Sequence, residues 1–239
     1  MRAAFVIFDR MTALDFIGVY DPLTRLRTMG LLPGFEWATC AATASLIDDR
    51  GLRFVPDLVN KTLEQFDLLV VPGGPVTRTL QNDAGFLKWL RTAEHVPLKA
   101  AVGAGSFLLG AAGILAGTPA ATHPTPRPLL SPSLRELSTR RVVDGGSIVT
   151  ARGGTPAIDL GLHLVERLAG EEARRRVARQ MGYPTHADQP RDFSLRSRSG
   201  LRSFPRASYW QPREDANIAS IADATTAPVT TGIGGIPNA

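Results

Sequence analysis

Short apolar runs alternate with helix-like segments along most of the chain. The runs are AAFVIF (3–8), WATCAA (37–42), DLLVVPGG (67–74) and LKAAVG (98–103). Helix-like segments occupy 14–30, 77–95 and 105–117. This order predicts an α/β fold built on a mainly parallel sheet. A second β region follows, with ATH (121–123) and the pair RRVV/SIVT flanking Asp144-Gly145-Gly146, a hairpin signal. Apolar residues at 158, 162, 165 and 168 form a helical stripe over 155–170. Residues 171–182 predict another helix, with Glu at its start and Arg later, as the helix dipole favours. ASLIDDRGLRF (44–54) predicts a small hairpin outside the parallel order. From about Pro184 the periodicity stops, and the Pro-, Ser- and Arg-rich stretch predicts extended or mobile structure. The expected division is therefore an α/β domain over 1–186 and an extension over 187–239.

Composition narrows the setting. A chain of 239 residues, 44% hydrophobic and 21% charged, has room for one sizeable core and the make-up of a soluble globular protein. No apolar run approaches the ~20 residues of a membrane helix. At the start, MRAAFVIFDRM is cut short by Asp9 and Arg10, so it predicts a buried first strand rather than a signal peptide. The expected location is the cytoplasm. The one cysteine, Cys40, excludes an intramolecular disulfide and lies in an apolar run, as a core residue would. The net charge of +5 is spread out, with six Arg against four acids over 191–239. No basic stripe with interleaved aromatics marks a nucleic-acid surface.

Three turns carry candidate chemistry. Val102-Gly103-Ala104-Gly105-Ser106 joins a strand to a helix, where free N–H groups suit an anion or a developing oxyanion. It is not a dinucleotide fingerprint, since the third glycine would fall on Leu108. Val71-Pro72-Gly73-Gly74-Pro75 is a second glycine turn at a strand end, the edge where parallel sheets collect ligands. Asp15, among apolar residues after the first strand, is either an N-cap or a partly buried carboxyl suited to acid–base work. His123 has a structural and a pocket reading of equal weight. Asp159, His163 and Glu166 share a helix face, for which a solvated surface is expected rather than a metal site. Ser106 has no adjacent base to make it a nucleophile.

Taken in order, FVIFDRMTALDFIGVYDPL, LLVVPGG, the elbow with SFLLGAAGILAGTPAATH, and VVDGGSIVTARGGTPAIDLGLHLVERL resemble the ThiJ/PfpI family of the class I glutamine amidotransferase-like superfamily. Its isonitrile hydratase subgroup is the one these stretches most resemble. The likeness covers about residues 2–183. It implies a flavodoxin-like three-layer sandwich, commonly a homodimer, with no cofactor or metal. The family's nucleophilic cysteine falls on Gly103, and the subgroup's usual threonine on Ala104. The family acid falls on Asp15, and the oxyanion donors on the backbone of Gly74 and Ala104. Gly73, Gly103 and His123 complete the expected substrate site.

Two function classes follow. One is a cysteine-independent enzyme of hydratase or isomerase type acting on a small reactive molecule. The other is a non-catalytic small-molecule-binding or scaffold protein that keeps the pocket. Amide hydrolysis fits poorly, because nothing supplies a nucleophile.

Overall fold

The computed structural model describes residues 1–115, 120–121 and 137–184. Four of the predicted runs become strands β1 (Arg2–Val6), β2 (Glu36–Ala41), β6 (Leu68–Val71) and β7 (Leu98–Val102). With β5 (Leu58–Val59), β10 (Val142–Asp144) and β11 (Ile148–Ala151) they form a seven-stranded sheet in the order β10-β11-β7-β6-β1-β2-β5. All its pairings are parallel except β10 with β11. β6 and β7 are buried along their whole length, which accounts for their unbroken apolar sequences. The hairpin at 44–54 forms as β3 (Leu46–Ile47) and β4 (Arg53–Phe54), antiparallel and outside the main sheet. A further short pair joins β8 (Ala120–Ala121) to β9 (Leu137–Ser138).

The helices are α1 (Ala13–Thr28), α2 (Thr77–Leu80), α3 (Ala84–Arg91), α4 (Gly105–Ala111), α5 (Pro156–Ala169) and α6 (Glu171–Gln180). The β1–α1–β2 crossover steps toward one edge of the sheet and β6–α3–β7 toward the other. Right-handed crossovers therefore place α1 and α3 on opposite faces. α5 and α6 pack with α1, while α2 and α3 pack with α4, giving the three layers of a flavodoxin-like sandwich. None of these helices is long and apolar enough to cross a membrane.

Three expectations change in detail. The segment 77–95 is two helices, because Asp83 leaves the helix conformation and its side chain accepts a hydrogen bond from Phe86 N at 2.9 Å. That N-cap restarts the helix. α4 ends at Ala111 rather than near 117. Asp159 and His163 are not on a solvated face: α5 lies against α1 and α6, and His163 is 3% exposed. His123 and the extension over 187–239 lie outside the described residues.

α1 and α5 pack closely through small residues. A Cβ on Gly18 would stand 2.6 Å from Ala157 Cβ, and one on Gly161 would stand 2.8 Å from Pro22 Cγ. On its sheet side, α1 joins an aromatic cluster of Phe5, Phe16, Tyr20, Trp37 and Phe54, where Trp37 Nε1 donates to Tyr20 Oη at 3.0 Å. Anchored on both sides, the first turn of α1 is held at the strand-end edge.

Candidate functional site

Parallel pairing of β1, β6, β7 and β11 brings the turns that follow them to one edge of the sheet. Asp15 sits there in the first turn of α1, 4% exposed. It is not the N-cap; that position is Thr12. Instead the carboxylate bridges two loops. Oδ1 accepts from Gly154 N at 2.6 Å and Oδ2 from Gly73 N at 3.2 Å. The helix start, the β6 loop and the β11 loop are thereby tied to one side chain.

The elbow has the backbone of a nucleophile turn without the side chain. Gly103 has φ +54°, in the left-handed region that side chains disfavour, and its N–H donates to Ala151 O at 2.8 Å. A Cβ built there would lie 3.1 Å from Asp15 Oδ2 and 3.1 Å from Gly153 Cα. The elbow therefore points at the carboxylate. Gly73 is required by close approach, since a Cβ on it would meet Asp15 Oδ2 at 2.6 Å. Ser106 is fully buried and its hydroxyl donates to Gly103 O at 2.9 Å, so it braces the turn.

A cavity of about 720 Å³ opens over these groups. Asp15, Gly74, Gly103 and Ala104 line it together. Gly73 stands just behind, bonded to Asp15. The N–H groups of Gly74 and Ala104 have no acceptor among the described residues. The structure thus brings together Asp15, Gly73, Gly74, Gly103 and Ala104; His123 lies outside what it describes.

Sequence reasoning missed part of the lining. Gly153 and Gly154 carry the signal that picked out the other two turns, a glycine pair after an apolar strand, and adjacency to β7 was the absent information. Asp48, Arg50 and Leu52 come from the β3–β4 turn, and Thr77, Arg78 and Gln81 from α2 and its end. Nothing local marks those residues. The hairpin is locked to the α1 entrance, where Thr12 Oγ1 donates to Asp49 Oδ2 at 2.9 Å and Arg10 N donates to Ile47 O at 2.7 Å.

Other polar groups serve elsewhere. Burial, and secondarily the charge of Asp57, pushes the Cys40 thiol up to about 12, so it is no nucleophile at neutral pH. His163 Nε2 lies 2.7 Å from Asp144 Oδ2, and Arg167 donates to the same carboxylate at 3.1 Å, pinning α5 to the β10–β11 turn. Asp159 accepts from Arg141 at 2.7 Å and from Tyr183 Oη at 2.5 Å. No group of three or more His, Cys, Asp or Glu placed to hold a metal occurs among the described residues.

Comparison with known proteins gives the family of the chain. The chain is similar to an isonitrile hydratase from Pseudomonas putida, at 31% identity over 77% of this chain and 78% of that one. It is 30% identical to a glutathione-independent glyoxalase from Caenorhabditis elegans over 57% of this chain and 70% of the other. A ThiJ/PfpI family protein from Pseudomonas syringae superimposes with a TM-score of 0.70 at 26% identity, covering 79% of this chain and 77% of that one. The sequence profile of the DJ-1/PfpI family matches residues 1–167, and the chain belongs to that family.

Proposed function

We propose that the protein is a cysteine-independent enzyme of hydratase or isomerase type, acting on a small reactive molecule of the isonitrile class. Asp15 is its general acid and base. The observation that carries this reading is the placement of Asp15, buried and held by Gly73 N and Gly154 N, where an elbow side chain would otherwise reach. Hydration of an isonitrile adds a proton and a hydroxyl to the terminal carbon, and the hydroxy-imine formed tautomerises to an N-formamide. A thiolate would divide that addition into two steps. Here Asp15 passes a proton to the carbon and takes one from the attacking water. The Gly74 and Ala104 N–H groups stabilise the charge that develops. Acid–base work is worth ~10²–10⁴ in rate and an oxyanion donor ~10²–10³, enough for a substrate that is already reactive.

The apolar residues Leu14 and Ile17 on α1, with Ile47 and Leu52 on the hairpin and Val55 just after it, are exposed, which supports a homodimer. A single buried thiol suits the reducing cytoplasm. A second reading, a small-molecule-binding protein with no turnover, is favoured by one observation: Gly103 has no side chain to react.

Asp15→Asn separates the two. The amide keeps the shape but has one acceptor for two N–H donors, so it costs about 1 kcal/mol of stability while remaining folded. Turnover of an isonitrile panel should fall at least ~10²-fold. An Asp15→Asn protein as active as the parent would remove Asp15 from the chemistry. A parent that binds members of the panel without converting any would establish the binding reading.

A further inference from the structure

The charges lining the cavity are unevenly committed. Its acids already accept from backbone N–H groups: Asp15 from Gly73 N and Gly154 N, and Asp48 Oδ1 from Arg50 N and Leu52 N. Asp48 Oδ2 is buried without a hydrogen-bond partner among the described residues, in a residue 4% exposed. The cations are not committed in this way. Arg78, on α2, lines the cavity and is exposed, and its guanidinium has no ion pair or hydrogen bond among the described residues. Arg50 lines it from the β3–β4 turn, with a side chain 82% exposed and a loose pair to Asp49 at 3.7 Å. A ligand entering the cavity meets guanidinium donors at its mouth and a carboxylate with backbone N–H groups at its floor.

We propose that the substrate carries a carboxylate, held by the Arg78 guanidinium fork with Arg50 adding positive charge. The planar fork matches two carboxylate oxygens at once. This names the substrate class of the site proposed above and rests on that site being where the ligand binds. Held in this way, the substrate directs its reactive end into the cavity that Asp15 also lines. A neutral molecule of the same shape forgoes the charged pair.

The probes are isocyanoacetate and its methyl ester, which share the reactive end and differ in charge. Titration calorimetry measures their affinities, and N-formamide formation is followed in parallel. The parent should bind the acid about ten-fold more tightly than the ester. That ratio should fall as salt is raised, since the pair is solvent-accessible. Arg78→Gln should bring the ratio to within about two-fold, Arg78→Lys should restore part of it, and Arg91→Gln, on α3, should leave it alone. Equal binding of the two probes, binding of neither, or a preference that survives Arg78→Gln overturns the proposal. An Arg78-dependent preference without N-formamide leaves the carboxylate site standing and removes the hydratase reading. Formamide from both probes at equal affinity does the reverse.

Discussion

At Gly103 the left-handed backbone and the crowding act in the same direction. Replacing it with cysteine puts a Cβ at φ +54°, 3.1 Å from Asp15 Oδ2 and 3.1 Å from Gly153 Cα. The conformation alone costs about 1–2 kcal/mol, and the neighbours must give by a few tenths of an ångström as well. Gly103→Cys should therefore lower the denaturation midpoint while creating a thiol at the entrance to α4. That thiol should alkylate readily at neutral pH, unlike Cys40, whose own value is pushed up to about 12 by burial. Labelling that is no faster than in the parent would mean that the elbow side chain does not reach the cavity. At this scale the sequence marked candidate residues but not what they touch. Asp15 was legible as an acid after the first strand; its bond to Gly154, 139 residues away, was not.

Among the elements, the β10–β11 hairpin and α5 carry a titration that the site does not use. Asp144, at the end of β10, is bonded to His163 and to Gly146 N and faces Arg167. Burial by itself would raise its pKa, but those bonds and the Arg167 charge outweigh burial and hold it below the usual 3.8. A carboxyl whose folded pKa is depressed adds stability above its unfolded value and loses it as pH falls through the folded one. Asp144→Asn should thus cost about 1–3 kcal/mol at pH 7, and the gap to the parent should narrow below about pH 4. Urea denaturation across that range measures it, and a gap constant to pH 2 would show that charge is irrelevant there. The hairpin was legible from Asp144-Gly145-Gly146, because a turn is a local event. The break in 77–95 was not, since the stretch reads as continuous and only the Asp83 bond to Phe86 N shows where the helix restarts. β5 left no trace in the sequence, being two residues on the outer edge of β2.

For the whole molecule, the parallel order was legible because its central strands are mostly apolar and separated by helices, and that order fixes which turns share an edge. The cavity walls were not legible, because the β3–β4 turn and α2 approach the edge only through tertiary packing. Where the core ends is a question of the same scale. Among the described residues its last buried members are Val177 and Ala178 on α6, with Met181 and Tyr183 packed against the core, and Tyr183 Oη closes onto Asp159 at 2.5 Å. The family match has already ended at residue 167. Among the described residues, the last strand of the main sheet ends at Ala151 and the last residue lining the cavity is Gly154. A chain ending at Pro190 should therefore fold cooperatively, with a stability within about 0.5 kcal/mol of the full protein and unchanged turnover of the isonitrile panel. Calorimetric unfolding and size-exclusion chromatography of the two chains make the comparison. An aggregated or unfolded product would place Phe204, Tyr209 or Trp210 in a core or subunit interface and move the domain boundary beyond them.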